Sequence, residues 1–208
     1  MRYDMNRNQK YSVSWLIQEI AKGKEIKLHL FYGHKPSFDG QITDSCLSQW
    51  WMANFQTKGI TYCCMEQFMM AQKAALFRDD ETFQRILNCQ EPQRIKSLGR
   101  QVRGFSQSTW DQWKYPIVRN GNWYKFSQNP PLKNFLLSTG DVVLAEASPY
   151  DPVWGIGLSK QSPFAANPTA WQGKNLLGFA LMEVRDALYE KHWQEIIITD
   201  NQRNIDRY

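Results

Sequence analysis

Two groups of residues in this chain have types and spacings that could do chemistry. The first is Glu146, Asp151 and Trp154, followed at once by Gly155 and Gly157. Val142 to Ala147 reads as a short buried strand, rich in β-branched and aliphatic residues. Alternation then puts Val142, Leu144 and Glu146 on one face. Glu146 continues an apolar stripe, where a carboxylate is costly unless it is paired or hydrogen-bonded. Ser148-Pro149-Tyr150-Asp151-Pro152 is a turn signal that delivers Asp151 and Trp154 beside two glycines able to allow close backbone approach. A strand, a capped turn and a core tryptophan account for the same residues, so the stretch alone leaves a site and a structural element both open.

The second group is Glu66 and Lys73, seven positions apart in a segment, 65–77, with helical periodicity. Seven residues is nearly two turns, so both side chains point the same way, with Met69 and Met70 between them. At a separation of ~10 Å they are too far apart for a simple ion pair and could flank a small ligand. A snorkelling lysine and a first-turn glutamate favoured by the helix dipole fit the same pattern. Glu66, Lys73, Glu146 and Asp151 are expected to converge on one pocket.

The elements that must hold these residues form a chain of 208 residues, long enough for one substantial core, and a single domain is the expectation. Nine tryptophans and 14% aromatic residues suit a filled core or a platform for a flat ligand. The net charge of +5 biases the surface toward anionic partners, but no Lys/Arg run is long enough for a nucleic-acid arm. Cys46, Cys63, Cys64 and Cys89 follow a polar N-terminus without a signal-peptide pattern, so free thiols in a reducing, cytoplasmic compartment are expected. Adjacent Cys63-Cys64 with only His29, His34 and His192 gives no spaced metal-ligand set, so no metal and no cofactor is expected. No apolar run reaches membrane-spanning length.

Along the chain, residues 1–9 read as frayed, Tyr11–Lys22 as an amphipathic helix and Ile26–Phe31 as a strand. Residues 33–40 read as loop, and 47–55 resists assignment. Ile60–Cys63 reads as a second strand. Helices are expected over Met65–Phe77, from a cap at Asp79 or Asp80 to Asn88, and from Pro92 to about Val102. Another is expected over Ser108–Lys125, with Pro116 as a kink or break, and another from Pro130 to Ser138. A long loop spans 159–173, and a last helix covers Asn175–Trp193. Ile196–Ile198 is too short to place.

Several of these segments together resemble the NADAR, or YbiA-like, family. They are Leu47-Ser48, Tyr62 through Phe77, Leu98-Gly99-Arg100, Lys125 through Asn129, Leu136 through Asp141, Glu146 through Gly157, and Asn175 through Gly178. Trp50-Trp51 stand where the family more often has an Asn-Phe-Tyr-like run. The resemblance implies a mainly α fold, a single YbiA-like helical domain with a few short β-strands over residues 30–190. An N-terminal helical extension (1–29) and a C-terminal tail (191–208) would flank it.

The resemblance also implies N-glycosidase chemistry on a phosphorylated ribose bearing a nucleobase-like group. Two substrate branches follow from it: ribosylamino-pyrimidine intermediates of riboflavin biosynthesis, and ADP-ribose on guanine, with ADP-ribosylated nucleic acid as a partner. Breaking the bond builds positive charge on the sugar, which a carboxylate stabilises. A lysine amine can instead attack C1 and form a Schiff base, provided burial lowers its pKa. Lys73 is placed for that role, with Glu66, Glu146 or Asp151 handling protons. Arg100 could hold phosphate and Trp154 could stack on a base, with Asn129 and Gly155 also in the implied substrate site. A non-catalytic module that holds ADP-ribose or NAD is the competing reading, in which Lys73 would be dispensable.

Overall fold

The computed structural model describes residues 9–191. In chain order the elements are α1 (Val13–Ala21), β1 (Leu28–Phe31), a 3₁₀ turn (Asp44–Leu47), β2 (Met52–Thr57), β3 (Ile60–Cys64) and α2 (Met65–Leu76). They continue with α3 (Asp80–Leu87), α4 (Pro92–Gly99), α5 (Gln107–Gln128), α6 (Pro130–Ser138), β4 (Val143–Glu146), a 3₁₀ turn (Pro168–Ala170) and α7 (Leu176–Glu190). The fold is mainly α with a few short strands, as the resemblance implied. The expectations for Ile196–Ile198, for His192 and for the last residues of the C-terminal helix lie outside the described residues.

The described chain divides into two compact units, 48–133 on its own and 9–47 together with 134–191. In the first of these, the unassigned aromatic stretch resolves into the 48–51 turn and strand β2. β2 pairs antiparallel with β3 in the register Thr57↔Ile60, Gln56↔Thr61 and Phe55↔Tyr62. Lys58 and Gly59 both take positive φ, the backbone that lets a two-residue hairpin match the strand twist. β3 runs straight into α2, which packs against α3, α4 and α5. Phe68 anchors that packing, with ring centroids 5.8 Å from Phe55, 5.0 Å from Tyr62 and 6.1 Å from Tyr124.

Asp79 caps α3 through Thr82 N–H at 3.2 Å, and Pro92 occupies the first turn of α4. Pro116 does not break α5, which runs unbroken through 22 residues. A proline inside a helix removes one backbone bond. Here Pro116 lies among buried Trp113, Tyr115, Ile117 and Val118, and tertiary packing overrides the local preference.

In the second unit, β1 and β4 pair in parallel, Leu28↔Val143 through Phe31↔Glu146. α7 lies against β4, and the approach is close enough that a Cβ on Gly178 would sit 2.1 Å from the Leu144 carbonyl oxygen. Asn175 begins α7 in the left-handed region and is fully buried. Its side chain accepts from Glu146 N–H at 3.0 Å and donates to Leu144 O at 2.8 Å, standing in for a neighbouring strand along β4.

Gly178→Ala is expected to lower Tm. Alanine gains about 1 kcal/mol of helix propensity, but overpacking against fixed backbone costs roughly 1–3 kcal/mol, and the observed 2.1 Å approach belongs at the severe end. Thermal unfolding followed by circular dichroism checks this; an unchanged or raised Tm would refute the close approach.

Candidate active site

In the 48–133 unit the chemistry gathers on α2. Cys64 ends β3 in extended backbone and starts the helix without a side-chain cap. Glu66 therefore falls in the first turn, only 3% exposed. Its backbone N–H donates to Gln49 O at 2.9 Å, and its Oε2 accepts from the Trp50 indole Nε1–H at 3.2 Å. One carboxylate oxygen is thus met by the indole of the turn that precedes β2, and the same turn takes the backbone N–H of Glu66. Gln67, next along, ties the helix to its surroundings. Its Oε1 accepts from Cys63 N–H at 2.8 Å and its Nε2 donates to the carbonyls of Ile86, Leu87 and Cys89.

Lys73 is half-buried. Its Nζ donates to Gly99 O at 2.8 Å and lies 4.2 Å from the Phe105 ring centroid and 5.6 Å from that of Trp110. Burial pushes its pKa below the ordinary lysine value. Neither aromatic was singled out in the sequence, where no local spacing links them to position 73. Phe105 is brought there by a clamp. Asp79 accepts from Arg103 N–H at 2.8 Å and from the Arg103 guanidinium at 2.7 Å, fixing the 103–105 turn, and Phe105 also packs edge-on against Phe77 at 5.2 Å.

Arg100 is exposed and directly follows Gly99, whose carbonyl holds Lys73, so the chain brings these two cations to the same end of α4. Asn129 stands at the C-terminal end of α5 with its side-chain amide donating to Lys125 O at 2.8 Å and Asn54 O at 3.0 Å. Those donors tie α5 to β2. Lys125 is fully buried on α5, and its Nζ donates to Ser48 O at 2.9 Å. The signal for it in the sequence is its place four residues after Gly121 and eight after Ile117, on a buried face of the helix.

An open cleft of about 1130 Å³ also lies along α3 and α4, with Arg85, Cys89, Arg94 and Leu98 in its lining, and it takes in none of these side chains. It is open to solvent, and the buried groups on α2 are the better candidate.

In the other unit, the end of β4 and the 148–157 turn form a second group. Asp151 Oδ1 accepts from the backbone of Val153 at 3.0 Å and of Trp154 at 2.8 Å, so the carboxylate caps its own turn. The turn folds back on β4 through Gly155 N–H to Asp151 O and Ile156 N–H to Glu146 O. A Cβ on Gly155 would lie 2.8 Å from Glu146 O, which fixes the role of this glycine as close packing. Trp154 is buried, and the carbonyls of residues 152–155 accept backbone N–H groups from 174–177 at the start of α7. Glu146 is half-buried, with its backbone N–H on Asn175. All four cysteines are buried and none is in a disulfide. No described helix is long and apolar enough to cross a membrane.

The fold is that of one family. The model of the NADAR domain family matches residues 30–189, and the chain belongs to that family. It is 46% identical over 144 residues to N-glycosidase R617 of Acanthamoeba polyphaga mimivirus, an alignment covering 67% of this chain and 85% of that protein. It is 28% identical over 144 residues to riboflavin biosynthesis protein VVA0006 of Vibrio vulnificus, covering 69% of this chain and 35% of that longer protein. Among solved structures, the NMR structure of the E. coli protein YbiA superposes with a TM-score of 0.65 at 23% identity, covering 84% of this chain and 94% of that one. With several relatives named for the same activity, the chain is an enzyme of the N-glycosidase class.

The Asp79 clamp gives a pH signature. The hydrogen-bonding Arg103 guanidinium holds the Asp79 carboxyl well below its ordinary value. A depressed carboxyl contributes stability above its unfolded pKa of about 3.9 and loses it as pH falls toward the folded value. Asp79→Asn is expected to lower stability by about 2 kcal/mol at pH 7, with the gap to wild type narrowing as pH falls through 4 toward 2. Denaturant unfolding at a series of pH values checks this; a gap independent of pH would rule out the ion pair as the source.

Proposed function

We propose that the enzyme cleaves the C–N bond between a phosphorylated ribose and a nucleobase-like group, and that Lys73 is its nucleophile. The observation that carries this reading is the Lys73 amine, half-buried on α2 with its pKa lowered by burial. A lysine in water is protonated at neutral pH and cannot attack; a desolvated one has a larger neutral fraction.

In the proposed reaction the Nζ–C1 bond forms as the C1–N bond to the base breaks. The base leaves with a proton supplied by a carboxylic acid. Loss of one proton from Nζ, then opening of the ribose ring at C1–O4 with transfer of the second Nζ proton to O4, gives the imine. Water adds at C1, and release of the free sugar restores the amine. Glu66, on the same helix as Lys73, is the proposed carrier of these protons. Ionised, such a carboxylate stabilises the positive charge that builds on the sugar. Arg100, which directly follows the Gly99 carbonyl that holds Lys73, is assigned to the substrate phosphate.

The substrate is drawn from two members of one chemical class, a ribosylamino-pyrimidine phosphate and ADP-ribose joined to guanine, free or in nucleic acid. The name of the Vibrio relative supports the first of these. A cytoplasmic setting and a reaction without a metal accompany the proposal.

Substitution separates the roles. Lys73→Arg keeps the charge, but a guanidinium stays protonated and forms no imine. Both Lys73→Arg and Lys73→Ala are expected to reduce turnover by at least roughly 10³-fold while ligand binding persists. Borohydride added during turnover is expected to trap a sugar adduct on Lys73 of the wild-type protein. Full activity in Lys73→Arg, or an adduct mapped to Lys125, overturns the assignment. Tight binding of ADP-ribose by wild type with no base released from either substrate would favour the non-catalytic module. EDTA is expected to leave the rate unchanged; loss restored by a divalent ion would show a metal requirement.

A further inference from the structure

The turn that precedes β2 makes polar bonds at Ser48, Gln49 and Trp50. Ser48 O accepts from the Lys125 ammonium at 2.9 Å, and Ser48 Oγ accepts from Trp50 N–H at 3.1 Å. Gln49 O accepts from Glu66 N–H at 2.9 Å. The Trp50 indole Nε1–H donates to Glu66 Oε2 at 3.2 Å, while the Lys96 ammonium lies 5.7 Å from the Trp50 ring centroid. Lys125 on α5 thus fixes one end of a three-residue staple whose other end grips the Glu66 carboxylate.

We propose that Trp50 and Lys125 are positioning residues for Glu66, fixing which of its oxygens exchanges a proton. The inference rests on the reading of Glu66 as a proton carrier. An indole N–H only donates and never accepts. Oε2 accepts from the indole, and the carbonyl oxygen of a carboxylic acid is the better acceptor, so a proton on Glu66 is favoured at Oε1. An unheld carboxyl could carry its proton on either oxygen and turn freely, so a reacting proton would meet it correctly only part of the time. Lys125 acts one step further back. Its ammonium, fully buried, holds the Ser48 carbonyl and with it the backbone that aims the indole. The Lys96 ammonium over the ring restrains the indole from α4.

Two measurements test this. The first is kinetic. Trp50→Phe keeps an aromatic ring and removes the indole N–H with its five-membered ring, and Lys125→Met keeps the chain length and deletes the donor. Each is expected to lower kcat by roughly 10- to 100-fold with KM changed by less than about twofold, because orientation at the reacting centre is lost while substrate contacts stay. Wild-type kcat in Trp50→Phe, or a loss confined to KM in both variants, overturns the inference.

The second measurement needs no turnover. The indole Nε1–H resonance of Trp50, assigned through the backbone of the wild-type protein, is expected to shift in Glu66→Gln and again in Lys125→Met, with the other indole resonances largely unmoved. An unmoved Trp50 resonance in both variants overturns the inference even if Trp50→Phe fails to fold. Absence of base release by wild type from every substrate tried would instead remove the proposed function, and the resonance would still decide whether the staple grips Glu66.

Discussion

A carboxylate taken out of water must be given hydrogen bonds in return, and the burial of Glu66 at the start of α2 sets that demand for the 48–133 unit. Much around it meets the demand. The β2–β3 hairpin ends by feeding α2 at the residue before Met65, which leaves the first helical N–H groups pointing at the preceding turn. That turn returns a carbonyl to Glu66 N–H and an indole N–H to its side chain. Gln67, the next residue, uses its amide to bind both the last strand residues and the end of α3. A helix pinned this firmly in its first turn can carry Lys73 two turns later at a set depth, half out of water, against Gly99 O and two aromatic rings.

The other unit solves a parallel problem with a side-chain amide. A two-stranded parallel pair leaves β4 with an open edge, and Asn175 fills it by accepting from Glu146 and donating to Leu144. The left-handed backbone at Asn175, the absent side chain at Gly178 and the close packing at Gly155 follow from the same approach of α7 and the 151–157 turn to the end of β4. Glu146 and Asp151 are thereby held by backbone geometry, with Asp151 engaged as the cap of its own turn.

The parts of this arrangement set by neighbours in sequence were legible in advance. Helical spacing marked α2, Asp79 and Pro92 marked the starts of α3 and α4, and the aliphatic run at 142–147 marked β4. The parts set by distant residues were not. β2 hides in 47–55 because its aromatic run lacks alternation and its pairing is irregular between Met52 and Phe55. The parallel partner of β4 lies more than a hundred residues away in β1, and no local signal links them. Lys125 read as one letter of a family motif, and its burial becomes visible only once α5 is known to run unbroken past Pro116. Phe105 and Trp110 reach Lys73 through a loop clamped by Arg103, a contact that spacing alone cannot encode.

The proposed reaction turns on one property of one atom, the neutral fraction of the Lys73 amine. The direct measurement is the titration of Lys73 Nζ in the free protein, followed by NMR of ¹³C-labelled lysine side chains with Lys73→Arg used for assignment. The arrangement of α2, Gly99 and the flanking rings predicts a pKa below the ordinary lysine value of about 10.4, because burial disfavours the ammonium. A titration at or above that value would mean that the carbonyl and the rings outweigh burial, and a nucleophilic Lys73 would be contradicted.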